Sequence, residues 1–329
     1  MTRIEVVAPD GVPEVGPGDD LVELLLPRLE LAGAALADGD IVVVTSKVVS
    51  KAEGRVRPGT RDEALPGETV RVVARRGPTT IVRNRLGLTM AAAGIDGSNV
   101  AAGHVVLLPV DPDGSARDLR ARLLERTGRN VAVVVTDTAG RAWREGQTDI
   151  AIGAAGLVVA EEHAGRTDRW GNELAVTLPA VADEIAGVAE LAQGKLAARP
   201  FSVVRGRADL VLPAGEHGPG ARSLIRAEGA DLFGYGAREA VVRALTGDPV
   251  DRAPFGAPAP IAELADAIGA VLGLHASRTG PGADELLVTA PPGLTRSLAA
   301  LAFAHGWEVD RGESPGGTRL RPVTPRIHP

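Results

Sequence analysis

The chain has 329 residues, 44% of them hydrophobic, with a formal net charge of −6 and no cysteine. The negative charge argues against a broad basic surface for nucleic acid, and the lack of cysteine excludes disulfides, thiolate nucleophiles and Cys-ligated zinc. Because the N-terminus has no signal-peptide pattern and no apolar run reaches the ~20 residues of a membrane span, we expect a cytoplasmic protein without a nucleic-acid or membrane partner.

The first elements predicted along the chain are a strand over 4–7, a helix through about residue 31 that Asp19 or Asp20 can cap, and a buried strand over 41–45. This second strand runs directly into Ser46 and Lys47. Both residues are therefore expected at its carboxyl end, a common place for ligand contacts. The polar stretch 60–78 is expected to be exposed.

The middle of the chain alternates apolar runs with polar loops. Strands are predicted over 81–82, 90–93, 105–108, 131–135, 158–160, 173–176, 203–205 and 210–212, and helices over 116–125, 179–192 and 237–245. The five apolar residues over 131–135 give the clearest strand signal, which ends at Thr136, Asp137 and Thr138.

The composition changes near residue 247, where several prolines indicate a linker over 247–260. The linker would separate a first domain of residues 1–246 from a C-terminal segment of residues 261–329. Helices over 261–272 and 295–304 and a strand over 285–289 predict a small α/β appendage in that segment. It contains no motif to which chemistry can be assigned.

Two polar loops carry the strongest chemical signal, one with Asp96 and Asn99 and the other with Asp137 and Thr138. Carboxylate and hydroxyl oxygens are hard ligands that suit Mg²⁺ or Mn²⁺. Two carboxylates would leave most of an octahedral shell for water and phosphate oxygens. The structural alternative makes Asp96 a turn residue and Asp137 a helix cap.

Lysine occurs at only three positions, Lys47, Lys51 and Lys195, although arginine is abundant. A compact ammonium suits a phosphate oxygen where the planar guanidinium does not fit. Ser46, Lys47 and Lys51 are therefore candidates for a phosphate or carboxylate site, although the P-loop pattern is absent. The alternatives are chance and a solvated helix face.

Two further segments have equally simple local alternatives. The segment 193–195, Gln-Gly-Lys, follows a predicted helix and could be an ordinary glycine cap. In the segment 140–146, Arg141 and Arg144 could bind an anionic substrate and Trp143 could stack on a ring, or the segment could be a surface loop.

In their order and spacing these motifs resemble the coenzyme F420-0 gamma-glutamyl ligase family over about residues 1–245. The matching segments are 11–14, 18–21, 46–54, 93–99, 108–115, 136–141, 168–171, 181–186 and 204–206. The resemblance implies an α+β fold with a mixed sheet and packed helices, in an intertwined homodimer. It also implies a ligase that joins L-glutamate to coenzyme F420-0 through an acyl phosphate, converts GTP to GDP and phosphate, and can add further gamma-linked glutamates.

The resemblance carries residue roles with it. Asp96 and Asp137 would bind one Mg²⁺ or Mn²⁺, Thr138 would help to hold a second, and K⁺ is a further expected cofactor. Lys51 and Arg141 are the expected catalytic residues. The residues expected to contact GTP are Val12, Pro13, Glu14, Val15, Ser46, Lys47, Lys51, Asn99, Gln193, Gly194 and Lys195.

The chain departs from the family pattern at two places. Lys195 stands where some relatives offer Glu or Gln to the second metal, so either that site is incomplete or Lys195 contacts phosphate directly. Some bacterial relatives also carry a nitroreductase-like domain, and residues 247–329 are too few for one, which predicts a stand-alone ligase. The alternative function is a metal-dependent nucleotide hydrolase or kinase that acts on another carboxylic acid. A non-catalytic nucleotide-binding protein is disfavoured because the expected metal ligands are present.

Overall fold

The computed structural model describes residues 3–227, 230–231, 233–280, 282–310 and 317–323. It divides into two compact units, Met1–Ile225 and Arg226–Pro329. The strands of the first unit are β1 (Glu5–Val7), β2 (Ile41–Thr45), β3 (Val56–Pro58), β4 (Thr69–Arg76), β5 (Thr79–Asn84), β6 (Thr89–Ala91), β7 (His104–Val106), β8 (Ala132–Gly140), β9 (Gln147–Ala155) and β10 (Phe201–Arg205). Its α-helices are α1 (Leu21–Leu31), α2 (Ser46–Ala52), α3 (Arg61–Glu68), α4 (Pro112–Thr127) and α5 (Val181–Gln193).

The main sheet of the first unit has the strand order β1-β10-β2-β8-β9. Strands β2 and β8 are parallel and in register from Ile41 opposite Ala132 to Thr45 opposite Thr136, and the other neighbours are antiparallel. The predicted α+β class with a mixed sheet is therefore confirmed.

Both faces of this sheet are buried. Alternate residues of β2 and β8 point to opposite faces, as the two-residue period of a strand requires. One set packs with α1 and includes Val42, Val44, Val133 and Val135. The other set packs with α5 and includes Ile41, Val43, Ala132 and Val134. Cover on both faces explains why the two strands have continuous apolar runs rather than alternating ones.

The parallel pairing of β2 and β8 brings their carboxyl ends side by side. Strand β2 passes without a loop into α2, whose first residue is Ser46. Strand β8 continues past its apolar run through Asp137 and Thr138 to Gly140. Two of the polar segments singled out in the sequence therefore meet at one edge of the sheet.

Smaller sheets hold the segment that contains Asp96. Strand β3 pairs with β7, and β4, β5 and β6 form a three-stranded sheet. Asp96 exchanges two backbone hydrogen bonds with Val106 of β7, at 3.0 and 2.8 Å. A small apolar cluster that includes Ile95 and Val105 packs below this bridge, so the loop has a fixed base.

Several elements differ from the sequence-based predictions. Strand β9 was not predicted, and the segments 158–160 and 173–176 are not strands, although Thr167 and Glu173 form an isolated bridge. The segment predicted as a strand over 210–212 begins in a short 3₁₀ helix, Ala208–Leu210, and bridges to Leu157 through Val211.

Two helices also depart from expectation. Within the polar stretch 60–78, a reciprocal capping box between Thr60 and Glu63 starts α3, and β4 follows it. Helix α4 begins at Pro112, earlier than predicted, because Asp111 caps it and proline suits the first helical turn.

The second unit contains α6 (Ala237–Thr246), α7 (Ile261–Leu272), α8 (Thr295–Ala304), β11 (Ala276–Arg278), β12 (Leu286–Val288), β13 (Trp307–Val309) and β14 (Thr318–Pro322). Its antiparallel sheet has the order β11-β12-β14-β13. Leu264 and Ile268 of α7 and Leu298 of α8 pack with this sheet in a core of their own.

The division between the units differs from the predicted domain boundary at 246. Helix α6, expected to close the first domain, packs against α8 of the second unit. The predicted linker over 247–260 contains two short 3₁₀ helices, and its Phe255 packs against Tyr235 and Phe303. Proline frequency there reflects these tight turns. Among the described helices, none combines the length and the apolar character that crossing a bilayer requires.

Candidate active site

A cavity of about 540 Å³ lies at the carboxyl ends of β2 and β8. It is lined by every residue that the sequence analysis assigned to nucleotide or metal binding, from the segments 12–15, 46–51, 96–99, 137–138 and 193–195. These segments are far apart in the chain, and the mixed sheet brings them to one place.

Asp96 is held in an ion pair at the cavity wall. Lys47 Nζ lies 2.6 Å from Asp96 Oδ2 and also donates to Ser98 Oγ at 2.7 Å. The Ser98 amide and hydroxyl donate to the two carboxylate oxygens of Asp96. Partial burial acts to raise the pKa of Asp96, but the bonds from Lys47 and Ser98 outweigh it and keep that pKa below its usual value.

Asp137 is the most perturbed acid of the cavity. Burial, with the nearby charges of Asp149 and Asp96, raises the pKa of Asp137 to about 7. The hydroxyl of Ser46 donates to Asp137 Oδ1 at 3.0 Å, which opposes this shift. A partly buried carboxylate with so little compensation favours a proton or a cation.

Thr138 connects two charged groups. Its hydroxyl donates to Asp149 Oδ1 at 2.8 Å and accepts from Lys195 Nζ at 3.1 Å. Asp149 lies on β9 opposite Thr138, is buried, and lines the cavity. Sequence reasoning missed Asp149 because it missed β9, although the β-branched residues Thr148, Ile150 and Ile152 recur at the two-residue spacing of a strand.

Lys51 is buried on α2 between two oxygen partners. Its ammonium forms an ion pair with Glu14 and donates to the backbone oxygen of Asn99 at 2.7 Å. Asn99 has a φ of 54°, a left-handed conformation that asparagine tolerates better than most residues. The ammonium thus ties the segment 12–15 to the segment 96–99 across the cavity.

Gln193, at the end of α5, is 1% exposed and lines the cavity. Among the described residues, neither its Oε1 nor its Nε2 has a hydrogen-bond partner. Buried amides are nearly always paired, so a donor and an acceptor left open beside a cavity suit a ligand with matching groups.

The oxygen atoms at this cavity fit a hard divalent cation. Asp96, Asp137, Thr138 and Asp149 supply carboxylate and hydroxyl oxygens, the donor types that Mg²⁺ and Mn²⁺ prefer. Within the described ranges, no three His, Cys, Asp or Glu side chains converge as a ready-made metal cluster. Water and phosphate oxygens would therefore have to complete the shell.

Arg141 stands apart from the other predicted site residues. Among the described residues that line the cavity, Arg141 is absent. It lies on the exposed turn between β8 and β9, where its Nη2 donates to the backbone oxygen of Glu145 at 2.9 Å. The expectation that Arg141 acts beside Lys51 thus finds no geometric support, because the chain turns away from the cavity after Gly140.

The segments that form the cavity all lie within the part of the chain that matches a known protein family. The family model described as F420-0:Gamma-glutamyl ligase matches residues 11–206. The chain belongs to this family. The segments 12–15, 46–51, 96–99, 137–138 and 193–195 all fall inside the matched range, and so does β9 with Asp149.

Proteins named coenzyme F420:L-glutamate ligase are similar to this chain. The one from Archaeoglobus fulgidus is 42% identical over 224 residues, which cover 62% of this chain and 88% of the relative. The one from Methanothermobacter thermautotrophicus is 36% identical over 253 residues, 70% of this chain and 98% of the relative. The one from Methanopyrus kandleri is 38% identical over 244 residues, covering 67% and 93%. The predicted resemblance and the predicted class, a ligase that forms carbon–nitrogen bonds, are confirmed.

Proposed function

We propose that this protein joins L-glutamate to coenzyme F420-0 with GTP as the energy source, through an acyl phosphate. The observation that carries the proposal is the meeting of the Lys47 and Lys51 ammonium groups, a partly buried acid with a raised pKa, and the family's motifs in one cavity. A carboxylate does not react usefully with an amine, so a phosphoryl donor is needed. The cavity has the charges that such a donor requires.

The proposed reaction has two steps. In the first, a terminal carboxylate oxygen of F420-0 attacks the γ-phosphorus of GTP, and the bond from that phosphorus to the β–γ bridging oxygen breaks to release GDP. In the second, the glutamate amine attacks the carbonyl carbon of the acyl phosphate, loses a proton, and expels phosphate. The product again ends in a carboxylate, so the same chemistry could add further gamma-linked glutamates.

The chain's own residues would place and neutralise the phosphates. Lys47 and Lys51, both on α2, would donate to phosphate oxygens once released from Asp96 and Glu14. The open amide of Gln193 would contact the nucleotide. These groups stabilise charge that spreads over the transferring phosphoryl, which is the main protein contribution to such reactions.

Asp96, Asp137 and Thr138 are the proposed ligands of Mg²⁺ or Mn²⁺. When bound, a divalent cation would neutralise charge on the β- and γ-phosphates. K⁺, an intertwined homodimer and a cytoplasmic location stay predictions, of which the homodimer can be checked by sedimentation.

The decisive experiment incubates the protein with GTP, Mn²⁺, L-glutamate and F420-0. We expect GDP and a product heavier by one glutamyl group, seen by mass spectrometry. Leaving out glutamate or F420-0 should remove the product. GDP formation without any glutamate-dependent mass increase would instead indicate the nucleotide hydrolase or kinase alternative.

A further inference from the structure

Lys195 has a position that the proposed reaction does not explain. It is the last of only three lysines in the chain. Its ammonium donates to the hydroxyl of Thr138, and the same hydroxyl donates to Asp149. The ammonium, the hydroxyl and the carboxylate thus form a short relay at the cavity.

Several acids lie near this relay. Asp137 and Asp149 lie on the adjacent strands β8 and β9, and Glu190 lies on α5 one turn before the segment that carries Lys195. Burial and the charge of Asp149 raise the pKa of Glu190, whereas Lys195 acts to lower it. The other two lysines are paired elsewhere, with Asp96 and Glu14. The charge of Lys195 acts on Glu190, and Thr138 joins the same ammonium to Asp149.

We propose that the Lys195 ammonium is the built-in counter-cation of the acids Asp149 and Glu190, so that the cavity binds one divalent cation, at Asp96 and Asp137, instead of two. The inference rests on the proposed function, because it takes the cavity as a metal–nucleotide site.

The contact geometry supports a single metal. Thr138 Oγ1 donates its proton to Asp149 and already accepts one hydrogen bond from the ammonium. A hydroxyl oxygen has two lone pairs, so only one is left for any cation. A fixed positive charge beside that oxygen also repels a second divalent ion, while it supplies part of the neutralisation that such an ion would give.

The test counts metal ions on the full-length protein without turnover. MnCl₂ is titrated into protein with equimolar GDP, and free Mn²⁺ is measured by electron paramagnetic resonance, with GDP alone as the blank. Lys195→Glu converts the ammonium to an oxygen ligand, and Lys195→Gln removes only the charge. Arg199→Gln is the matched control, since Arg199 lines the same cavity but binds Asp10 at 2.7 Å.

We expect one Mn²⁺ per wild-type chain, one per Arg199→Gln chain, and two per Lys195→Glu chain. Lys195→Gln should bind its Mn²⁺ roughly tenfold more tightly, because one like charge has been removed nearby. Two Mn²⁺ on the wild type would overturn the inference, and so would one Mn²⁺ of unchanged affinity on both Lys195 variants.

The metal count separates this inference from the proposed function. A wild-type protein that forms the glutamyl product but binds two Mn²⁺ contradicts only the role of Lys195. A protein that binds no Mn²⁺ and forms no glutamate-dependent product contradicts the proposed function.

Discussion

The raised pKa of Asp137 makes a quantitative prediction about stability in metal-free protein. Burial moves the pKa of this acid from its ordinary value of 3.8 to about 7. Between these values the folded state keeps a proton that the unfolded state has lost. Stability therefore falls as pH rises through this range, and the loss levels off above the folded pKa.

The size of the effect follows from linkage. With an unfolded pKa of 3.8 and a folded pKa of about 7, the free energy of unfolding should drop by about 2 to 3 kcal/mol between pH 5 and pH 8. The neutral isostere in Asp137→Asn cannot titrate, so this contribution should be absent from the variant. Measured against the wild type, the free energy of unfolding of the variant should therefore be higher at pH 8 than at pH 5.

The assay is chemical denaturation of EDTA-treated protein, followed by circular dichroism at the two pH values for wild type and variant. Subtracting the pH effect in the variant from the pH effect in the wild type removes the contribution of the other titrating groups. Excess Mn²⁺ at pH 8 should stabilise the wild type and not Asp137→Asn, because the cation replaces the proton on the carboxylate. Equal pH dependence in the two proteins would refute the reasoning, since Asp137 would then titrate alike in the folded and unfolded chains.

Two other predictions concern single side chains. Lys51→Arg keeps the charge, but the larger guanidinium cannot fit between Glu14 and the Asn99 carbonyl. We therefore expect the KM for GTP to rise roughly tenfold or more. Unchanged steady-state kinetics would contradict the need for lysine at this position. Gln193→Met removes a buried amide that has no hydrogen-bond partner among the described residues, so it should raise the free energy of unfolding by about 1 kcal/mol. The same variant should bind GDP more weakly in calorimetry. A less stable variant would mean that the amide is already hydrogen-bonded.

The sequence allowed the centre of the sheet and the edge strand β1 to be predicted, but not the other edge strand, β9. Strands β2 and β8 have continuous apolar runs, the pattern of a strand covered on both faces. Strand β9 is equally buried but ends in Gly153, Ala154 and Ala155. A Cβ at Gly153 would collide with Pro112 at the start of α4, so close packing demands a residue with poor strand propensity. The contact between Gly153 and Pro112 cannot be read from the sequence pattern.

The same distinction applies to the site. Asp137 was expected in a loop because the apolar run stops at Val135, yet β8 continues to Gly140 and is paired with β9. The residues turn polar there because one face of the strand borders the cavity. Asp149 was missed with its strand, and Arg141 was assigned to the site through the family resemblance of the segment 136–141. That resemblance did not reveal that the chain turns away from the cavity after β8.

The ion pairs at the cavity imply that metal and nucleotide bind in mutual support. Lys47 neutralises the partly buried Asp96, so it cannot move to a phosphate without leaving that carboxylate uncompensated, whereas water can compensate the exposed Glu14 when Lys51 leaves it. A divalent cation at Asp96 would replace Lys47 there and release its ammonium toward the phosphate. Each ligand would thus lower the cost of binding the other, and by linkage this coupling must be reciprocal. The three lysines would then have distinct tasks: the metal takes the place of Lys47 at Asp96, Lys51 leaves Glu14 for a phosphate oxygen, and Lys195 remains with the acids.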